Sequence, residues 1–244
     1  MQMKYPLREE PTLIDSDLRQ NDMKKAFTLA EVLITLGIVG VVSALTIPNL
    51  MTAYKAHRYR TQFLKSYSTI QQAFRQMEAD GVSTDPTSYG PATFYKTFSK
   101  YVKTAVDCGI NFNKFYPQCY HPSSPKAYKT YNGKIKAKQY DFDEGQLVLL
   151  DGTNLFFENL GGPYRIYVHV DINGFLNPPN RWGFDLFTFQ FLDGELRTMG
   201  SPGTYFPPKM FCDPASESWQ NGVACAHYAK TNTDYFKKIV KELK

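Results

Sequence analysis

The sequence predicts an α+β protein in which a long N-terminal α-helix packs on a small antiparallel β-sheet. An apolar run at residues 27–47 continues into an amphipathic helical pattern that ends near residue 80. Alternating apolar segments separated by Asp-Gly pairs follow later in the chain, as is typical of β-hairpins. We therefore expect three parts: residues 1–26 ahead of the helix, the helix at 27–80, and a globular head at 81–244.

The apolar run predicts a membrane-spanning helix. It contains a single charged residue, Glu31, and about 20 helical residues are enough to cross a hydrocarbon core of about 30 Å. A secretory signal peptide is one alternative, although its apolar region is normally shorter. An ordinary single-span anchor is another, but it leaves Glu31 unexplained because a carboxylate inside a span is costly.

The segment KKAFTLAEVLITLGIVGVVSALTIP resembles the class III signal peptide of type IV prepilins and type II secretion pseudopilins. Its features are a basic leader, a small residue, Phe-Thr-Leu-x-Glu, and an apolar helix with a proline near its end. Ala26 stands where the family usually has glycine. The resemblance implies that residues 1–26 are a prepilin leader, removed after Ala26 by a prepilin peptidase, and that the new Phe27 amino group is N-methylated. The implied processing residues are Lys24, Lys25, Ala26 and Phe27, and the implied assembly residues are Phe27, Glu31, Gly40 and Pro48.

The resemblance also explains the carboxylate in the apolar run. In filaments of the family, this glutamate is thought to pair with the N-terminal ammonium of a neighbouring subunit, and either charge alone in lipid is costly. Pro48 lacks an N–H, and the stretch between Gly40 and Pro48 is expected to be partly unwound in a filament.

A pilin-like structural subunit is the function that the resemblance implies. Such a subunit is anchored in the inner (cytoplasmic) membrane by one span, with its head outside the cytoplasm. It then enters a type II secretion pseudopilus or a type IV pilus. The implied partners are the prepilin peptidase, other pilin or pseudopilin subunits and the inner membrane.

Beyond Pro48, one helical face is apolar and is expected to pack on the sheet. Its residues are Phe63, Tyr67, Ile70, Phe74 and Met77. Asp80–Gly81 provides a stop signal. The basic residues after the span are expected to form a solvated face, with acidic surfaces of neighbouring subunits or DNA as alternatives. These residues are Lys55, Arg58, Arg60 and Lys65.

Three segments of the head predict strands, and residues 81–140 predict loops and short elements. GQLVLLDGTNLFFEN predicts a hairpin that turns at Asp151–Gly152, and a second turn is expected at Asp193–Gly194. Two other segments alternate, which places one set of apolar residues on a single sheet face. The sets are Ile166, Val168 and Val170, and Phe187, Phe189 and Phe191. A short C-terminal helix, capped near Thr233, is expected to dock on the head.

Four cysteines suggest two disulfides in an exported domain. Four cysteines allow three connectivities, of which the local pairing of Cys108 with Cys119 and Cys212 with Cys225 is favoured. Buried thiols in a reduced protein, or a zinc site that uses His121 or His227, are alternatives, but the spacing typical of zinc ligands is absent.

Metal binding and catalysis have weaker signals. Asp171, Asn173 and Asp185 could supply oxygen ligands to Ca²⁺, but EF-hand spacing is absent and a tight turn at Asn173–Gly174 is favoured. No enzyme motif is present, and His169 is expected to be a half-exposed strand residue. The sequence therefore predicts no enzyme and no cofactor other than this calcium ion. The alternative functions are a minor pilin whose head binds DNA or another ligand, with DNA not favoured at a net charge of +5, and a membrane-anchored exported enzyme.

Overall fold

The computed structural model describes residues 27–159, 165–192 and 194–243. The predicted processing residues Lys24, Lys25 and Ala26 lie outside these ranges. The architecture is α+β and pilin-like, as predicted, with a long N-terminal helix and a six-stranded antiparallel sheet. The chain divides into two compact units, with the boundary between Ile47 and Pro48.

Helix α1 runs from Leu29 to Ala79 and is the longest element, with 51 residues. It contains Pro48 and is helical throughout the Gly40–Pro48 stretch, so the single chain does not have the unwound segment expected in a filament. Its first half has an 18-residue window with a mean hydropathy of 2.2 and no buried residue. By length and composition, this helix is able to cross a membrane.

The six strands form a meander in which every neighbouring pair is antiparallel and the order in the sheet is the order in the chain. They are β1 (Thr104–Gly109), β2 (Gln146–Leu149), β3 (Asn154–Glu158), β4 (Tyr167–Asp171), β5 (Leu186–Leu192) and β6 (Glu195–Thr198). The predicted hairpin joins β2 to β3, and Gly152 in its turn has φ +86°, a conformation that favours glycine. The Asp193 half of the second predicted turn lies outside the described residues.

Within residues 81–140, where the sequence predicts loops and short elements, the structure contains the six-residue strand β1. It pairs with β2, with irregular register at two places. The described residues also form four short 3₁₀ helices and four short α-helices. The α-helices are α2 (Phe94–Phe98), α3 (Pro208–Phe211), α4 (Ala226–Thr231) and α5 (Tyr235–Glu242).

The predicted apolar face of α1 packs on one side of the sheet. Phe63, Ile70, Phe74 and Met77 are buried, and the half-buried Tyr67 donates a hydrogen bond from its hydroxyl to the Leu196 carbonyl at 3.1 Å. The Phe63 ring centroid lies 4.8 Å from that of Phe187 and 5.8 Å from that of Phe236 on α5. Aromatic contacts therefore join α1, β5 and α5 in one core.

A second apolar cluster covers the opposite side of the sheet. Its aromatic members are Tyr120, Tyr128, Phe142, Phe156, Phe175, Trp182 and Phe206. His169 on β4 faces this cluster and is only 2% exposed, so the expectation of a half-exposed histidine is wrong. Its Nδ1 lies 3.0 Å from the Thr188 hydroxyl, and its burial lowers the pKa of the imidazole to about 3. A neutral, buried histidine of this kind is a core residue.

Both disulfides have the pairing that the sequence favours. One joins Cys108 to Cys119 and the other joins Cys212 to Cys225, so all four cysteines are paired. Helix α5 docks on the head through Phe236, Ile239 and Val240, which are buried. Its N-cap residue is Asp234, which directly follows the predicted position near Thr233.

Candidate functional site

The beginning of α1 is closed by reciprocal hydrogen bonds between Thr28 and Glu31. The backbone N–H of Thr28 donates to Glu31 Oε2 at 2.8 Å, and the Thr28 hydroxyl lies 2.9 Å from the same oxygen. The backbone N–H of Glu31 donates to the Thr28 hydroxyl at 3.2 Å. This arrangement is a capping box, which satisfies N–H groups that the first turn of a helix leaves without partners.

The capping role of Thr28 was not part of the sequence prediction, although its signal was present. The order Thr-x-x-Glu immediately before an apolar helix is a capping-box pattern. From the sequence, Glu31 is expected to make an intermolecular contact. The structure adds an intramolecular contact for the same carboxylate.

Only one oxygen of the Glu31 carboxylate has a donor among the described residues. Both hydrogen bonds from Thr28 end at Oε2, and the side chain is exposed. The helix N-terminus also favours the ionised carboxylate, because unpaired N–H groups give this end a partial positive charge. Glu31 can therefore keep its cap and still accept a hydrogen bond from a second chain through Oε1.

The described residues next to this carboxylate are apolar and exposed. The Phe27 side chain is 83% exposed and that of Leu29 is 77% exposed. A Cβ atom added at Gly37 or Gly40 would meet no heavy atom within 4 Å. This surface is suited to lipid, or to close contact with another helix, since small residues let backbones approach.

Pro48, one of the predicted assembly residues, lies within regular helix. Pro48 has no N–H to donate to the preceding turn, and its carbonyl accepts a hydrogen bond from the Thr52 hydroxyl at 2.9 Å. Of the assembly residues, Phe27 and Glu31 lie within one turn of each other, whereas Gly40 and Pro48 lie farther along the same helix.

The three residues predicted as calcium ligands lie at the end of β4 and in the loop that follows. Asp171 Oδ1 accepts the N–H groups of Asn173 and Gly174 at 3.1 and 2.9 Å, and its Oδ2 accepts the Tyr128 hydroxyl at 2.7 Å. Asp185 accepts the N–H groups of Asn180 and Arg181 at 2.8 and 2.7 Å. Every oxygen of the two carboxylates therefore faces a hydrogen atom.

Each of these carboxylate oxygens already accepts at least one N–H or O–H hydrogen bond, so a cation bound here would compete with those hydrogen bonds. The pattern instead matches the tight turn favoured by the sequence, in which Gly174 has φ +84°. Burial raises the pKa of Asp171 and of Asp185, and the charge of Asp171 raises that of Asp185 further. Among the described residues, no group of three His, Cys, Asp or Glu side chains could hold a metal ion. The calcium site remains a prediction.

Comparison with known proteins identifies the N-terminal segment. A family model described as the prokaryotic N-terminal methylation motif matches residues 21–47. No curated protein and no solved structure gave a significant match. The matched segment includes the predicted cleavage position, the capped beginning of α1 and the whole apolar run. The chain therefore carries the N-terminal methylation motif, the signature of type IV pilins and pseudopilins.

Proposed function

We propose that this chain is a structural subunit, cleaved between Ala26 and Phe27 and N-methylated at Phe27, that assembles into a type II secretion pseudopilus or a type IV pilus. The observation that carries this proposal is the exposed Glu31 carboxylate, which has one oxygen free of any donor among the described residues. Glu31 lies four residues after Phe27, and the helix residues that follow it up to Ile47 are mostly apolar and exposed.

Cleavage creates the partner for this carboxylate. The new N-terminus of Phe27 is an ammonium placed at the end of an apolar helix, where an unpaired charge is unfavourable. When two helices pack side by side, the ammonium of one chain and the carboxylate of the next satisfy each other. Since both charges lie at fixed positions, this pairing selects one register between neighbouring helices.

The cap at Thr28 gives the Glu31 carboxylate a hydrogen-bond partner within its own chain before assembly. A helix start inside an apolar environment has N–H groups that need acceptors. Glu31 supplies one of these acceptors within its own chain, so an unassembled subunit does not hold an entirely unpartnered carboxylate. Assembly then adds the ammonium as a second partner.

A structural role agrees with the motif and with the rest of the chain. Proteins that carry this motif are structural rather than catalytic. The motif and the N-terminal apolar helix support anchoring in the inner membrane. In the proposed arrangement the head lies outside the cytoplasm, and the prepilin peptidase and other pilin subunits are the partners.

The test is the mass of the mature N-terminus, measured in cells with and without the prepilin peptidase. The proposal expects a chain that begins with methylated Phe27 when the peptidase is present and an uncleaved chain when it is absent. A protein that keeps its first 26 residues in both strains, or that is cut at another position in both, would overturn the proposal.

A further inference from the structure

A cleft of about 590 Å³ opens on the head between α1, the loop after β4 and the C-terminal end of α5. Its α1 wall is a single helical stripe, since Pro48, Met51, Lys55 and Arg58 recur at spacings of three or four residues. Pro178 and Pro179 form part of the opposite wall. The cleft therefore combines an apolar part with a cationic part.

Within the described part of the chain, the two cations of the cleft have no acidic partners. Lys55 and Arg58 are both exposed, and neither forms an ion pair with a carboxylate of the described residues. Lys65, two turns farther along α1, does form one, with its Nζ 2.8 Å from Asp151 Oδ2. The sequence of α1 contains no Asp or Glu between Glu31 and Glu78. The positive charge at the cleft is therefore not neutralised by its own helix.

Along α1, the apolar part of the cleft comes before the cationic part. Pro48 follows Ile47 directly, so this wall of the cleft begins where the apolar segment ends. Pro48 and Met51 come first, and Lys55 lies four residues beyond Met51, about 6 Å along the helix. Apolar contacts near the span followed by cations farther out match the polarity of a phospholipid, whose phosphate lies outside its hydrocarbon.

We propose that this cleft binds the headgroup of an anionic phospholipid, with the phosphate between Lys55 and Arg58 and the glycerol end of the acyl chains against Pro48 and Met51. Juxtamembrane basic residues are attracted to anionic lipid surfaces. The apolar wall can also contact the acyl chains of a lipid, which free phosphate does not have. This binding depends on membrane anchoring by α1 and not on filament assembly. The lipid proposal therefore does not fail if the assembly test fails.

The experiment uses the full chain in a neutral detergent, mixed with equal amounts of phosphatidylglycerol and phosphatidylcholine that carry the same acyl chains. Native mass spectrometry then measures which lipid stays bound. We expect a several-fold preference for phosphatidylglycerol in the unmodified chain. The double variant Lys55→Gln/Arg58→Gln should bind both lipids equally, and its head should stay folded because both side chains are exposed.

A matched variant removes the same charge elsewhere. Lys134 and Lys136 are exposed and do not line the cleft, so Lys134→Gln/Lys136→Gln should keep the preference for phosphatidylglycerol. Equal loss in both double variants, or no loss in the cleft variant, would overturn the proposal. Complete displacement of phosphatidylglycerol by excess inorganic phosphate would also overturn it, because the cleft would then recognise a free anion. A zero-length cross-link from Lys55 to a carboxylate of a second copy in phosphatidylglycerol vesicles would also overturn it, because the cleft would then be an interface between subunits.

Discussion

The Glu31 carboxylate accepts the backbone N–H of Thr28 at 2.8 Å, and so the residue proposed to join two subunits also caps its own helix. These two roles make different demands. Capping needs an acceptor oxygen, which a neutral amide also provides. Pairing with an ammonium in an apolar environment needs a negative charge. Substitutions at Thr28 and Glu31 therefore separate the two roles.

We expect Glu31→Gln to abolish filament assembly while leaving membrane insertion and cleavage intact. The amide oxygen still accepts the Thr28 N–H, so the helix start is kept, but the charge that attracts the neighbouring ammonium is lost. Glu31→Ala should fail in the same way and should also weaken the cap by about 1 kcal/mol. Assembly is measured as sheared filaments or as cross-linked oligomers in membranes.

Thr28→Ala is the matched control, because it removes the hydroxyl half of the cap and retains the carboxylate. We expect this variant to assemble near the normal yield, with only the helix start destabilised by about 1 kcal/mol. Normal filament yield from Glu31→Gln would refute the charge pairing. Failure of Thr28→Ala to the same extent as Glu31→Gln would show that the cap, and not the charge, is what assembly requires.

Phe63 joins three elements of the head, and its removal should be among the most damaging core changes. The ring is fully buried against Phe187 and Phe236. We expect Phe63→Ala to lower the free energy of unfolding by about 3–5 kcal/mol. Urea denaturation of the full chain in detergent, followed by near-UV circular dichroism, measures the loss.

Leu64, the next residue on α1, is 39% exposed and provides the control for Phe63. We expect Leu64→Ala to cost less than about 1 kcal/mol, because exposed positions lose little apolar burial. Similar losses from the two variants would contradict the assignment of this α1 face to the core.

The parts of the fold that were predicted from sequence are those with a regular local pattern. The apolar face from Phe63 to Met77 repeats with helical spacing, and the Asp151–Gly152 pair marks a hairpin between two apolar runs. Strand β1 has no such pattern, since Asp107 interrupts a short run and only Cys108 and Gly109 are buried. It forms a strand because its backbone pairs with β2. The sequence of β1 alone does not contain that information.

His169 shows a second limit of sequence patterns. Alternation along β4 separates two faces but does not show whether the second face is covered. The cover comes from aromatic residues in irregular segments, including Tyr128, Phe142 and Trp182, which have no periodicity. At the candidate site the same distinction holds. Glu31 is recognised from a sequence motif. The cleft at Lys55 and Arg58 is formed by tertiary contacts between separate elements and has no sequence motif.

Each disulfide should contribute a similar amount to the stability of the head. The separations of 11 and 13 residues are short and nearly equal, so a chain-entropy account gives about 3 kcal/mol for each. We expect Cys108→Ala/Cys119→Ala and Cys212→Ala/Cys225→Ala each to lower the Tm by about 6–12 °C. Scanning calorimetry in the presence of a reductant is the control, because reduction should bring the unmodified chain below either variant. Unchanged Tm values in oxidising buffer would contradict this contribution.

Acidic side chains converge near the end of β3. Burial, together with the charges of Glu144, Asp141 and Asp143, raises the pKa of Glu158 to about 9. Burial also raises the pKa of Asp141 and of Glu144, each to about 7. The Oε2 atom of Glu158 has no hydrogen-bond partner among the described residues. Its ionised form is therefore poorly accommodated in the folded head.

The direction of the pH effect follows from these raised values. A carboxyl group with a higher pKa in the folded than in the unfolded protein binds more protons when folded. Its contribution to stability is complete below the unfolded pKa, about 4.3 for glutamate, and is lost as the pH rises toward the folded pKa. We expect the free energy of unfolding of the head to fall between about pH 4 and about pH 9, as measured by urea denaturation across that range.

Glu158→Gln tests whether this residue dominates the pH effect, because glutamine resembles the protonated acid and does not ionise. A difference of one pKa unit between folded and unfolded states is worth about 1.4 kcal/mol, so at about pH 8 the variant should be more stable than the unmodified chain by at least that amount. At about pH 4, where the unmodified side chain is protonated in the folded head, the two proteins should be nearly equal. Glu217 is exposed and lies in another segment, so Glu217→Gln should leave the pH dependence unchanged. A Glu158→Gln head that loses stability with pH as steeply as the unmodified head would contradict a dominant role of Glu158. It would place the effect on the other carboxyl groups with raised pKa values, which are Asp141, Glu144, Asp171 and Asp185.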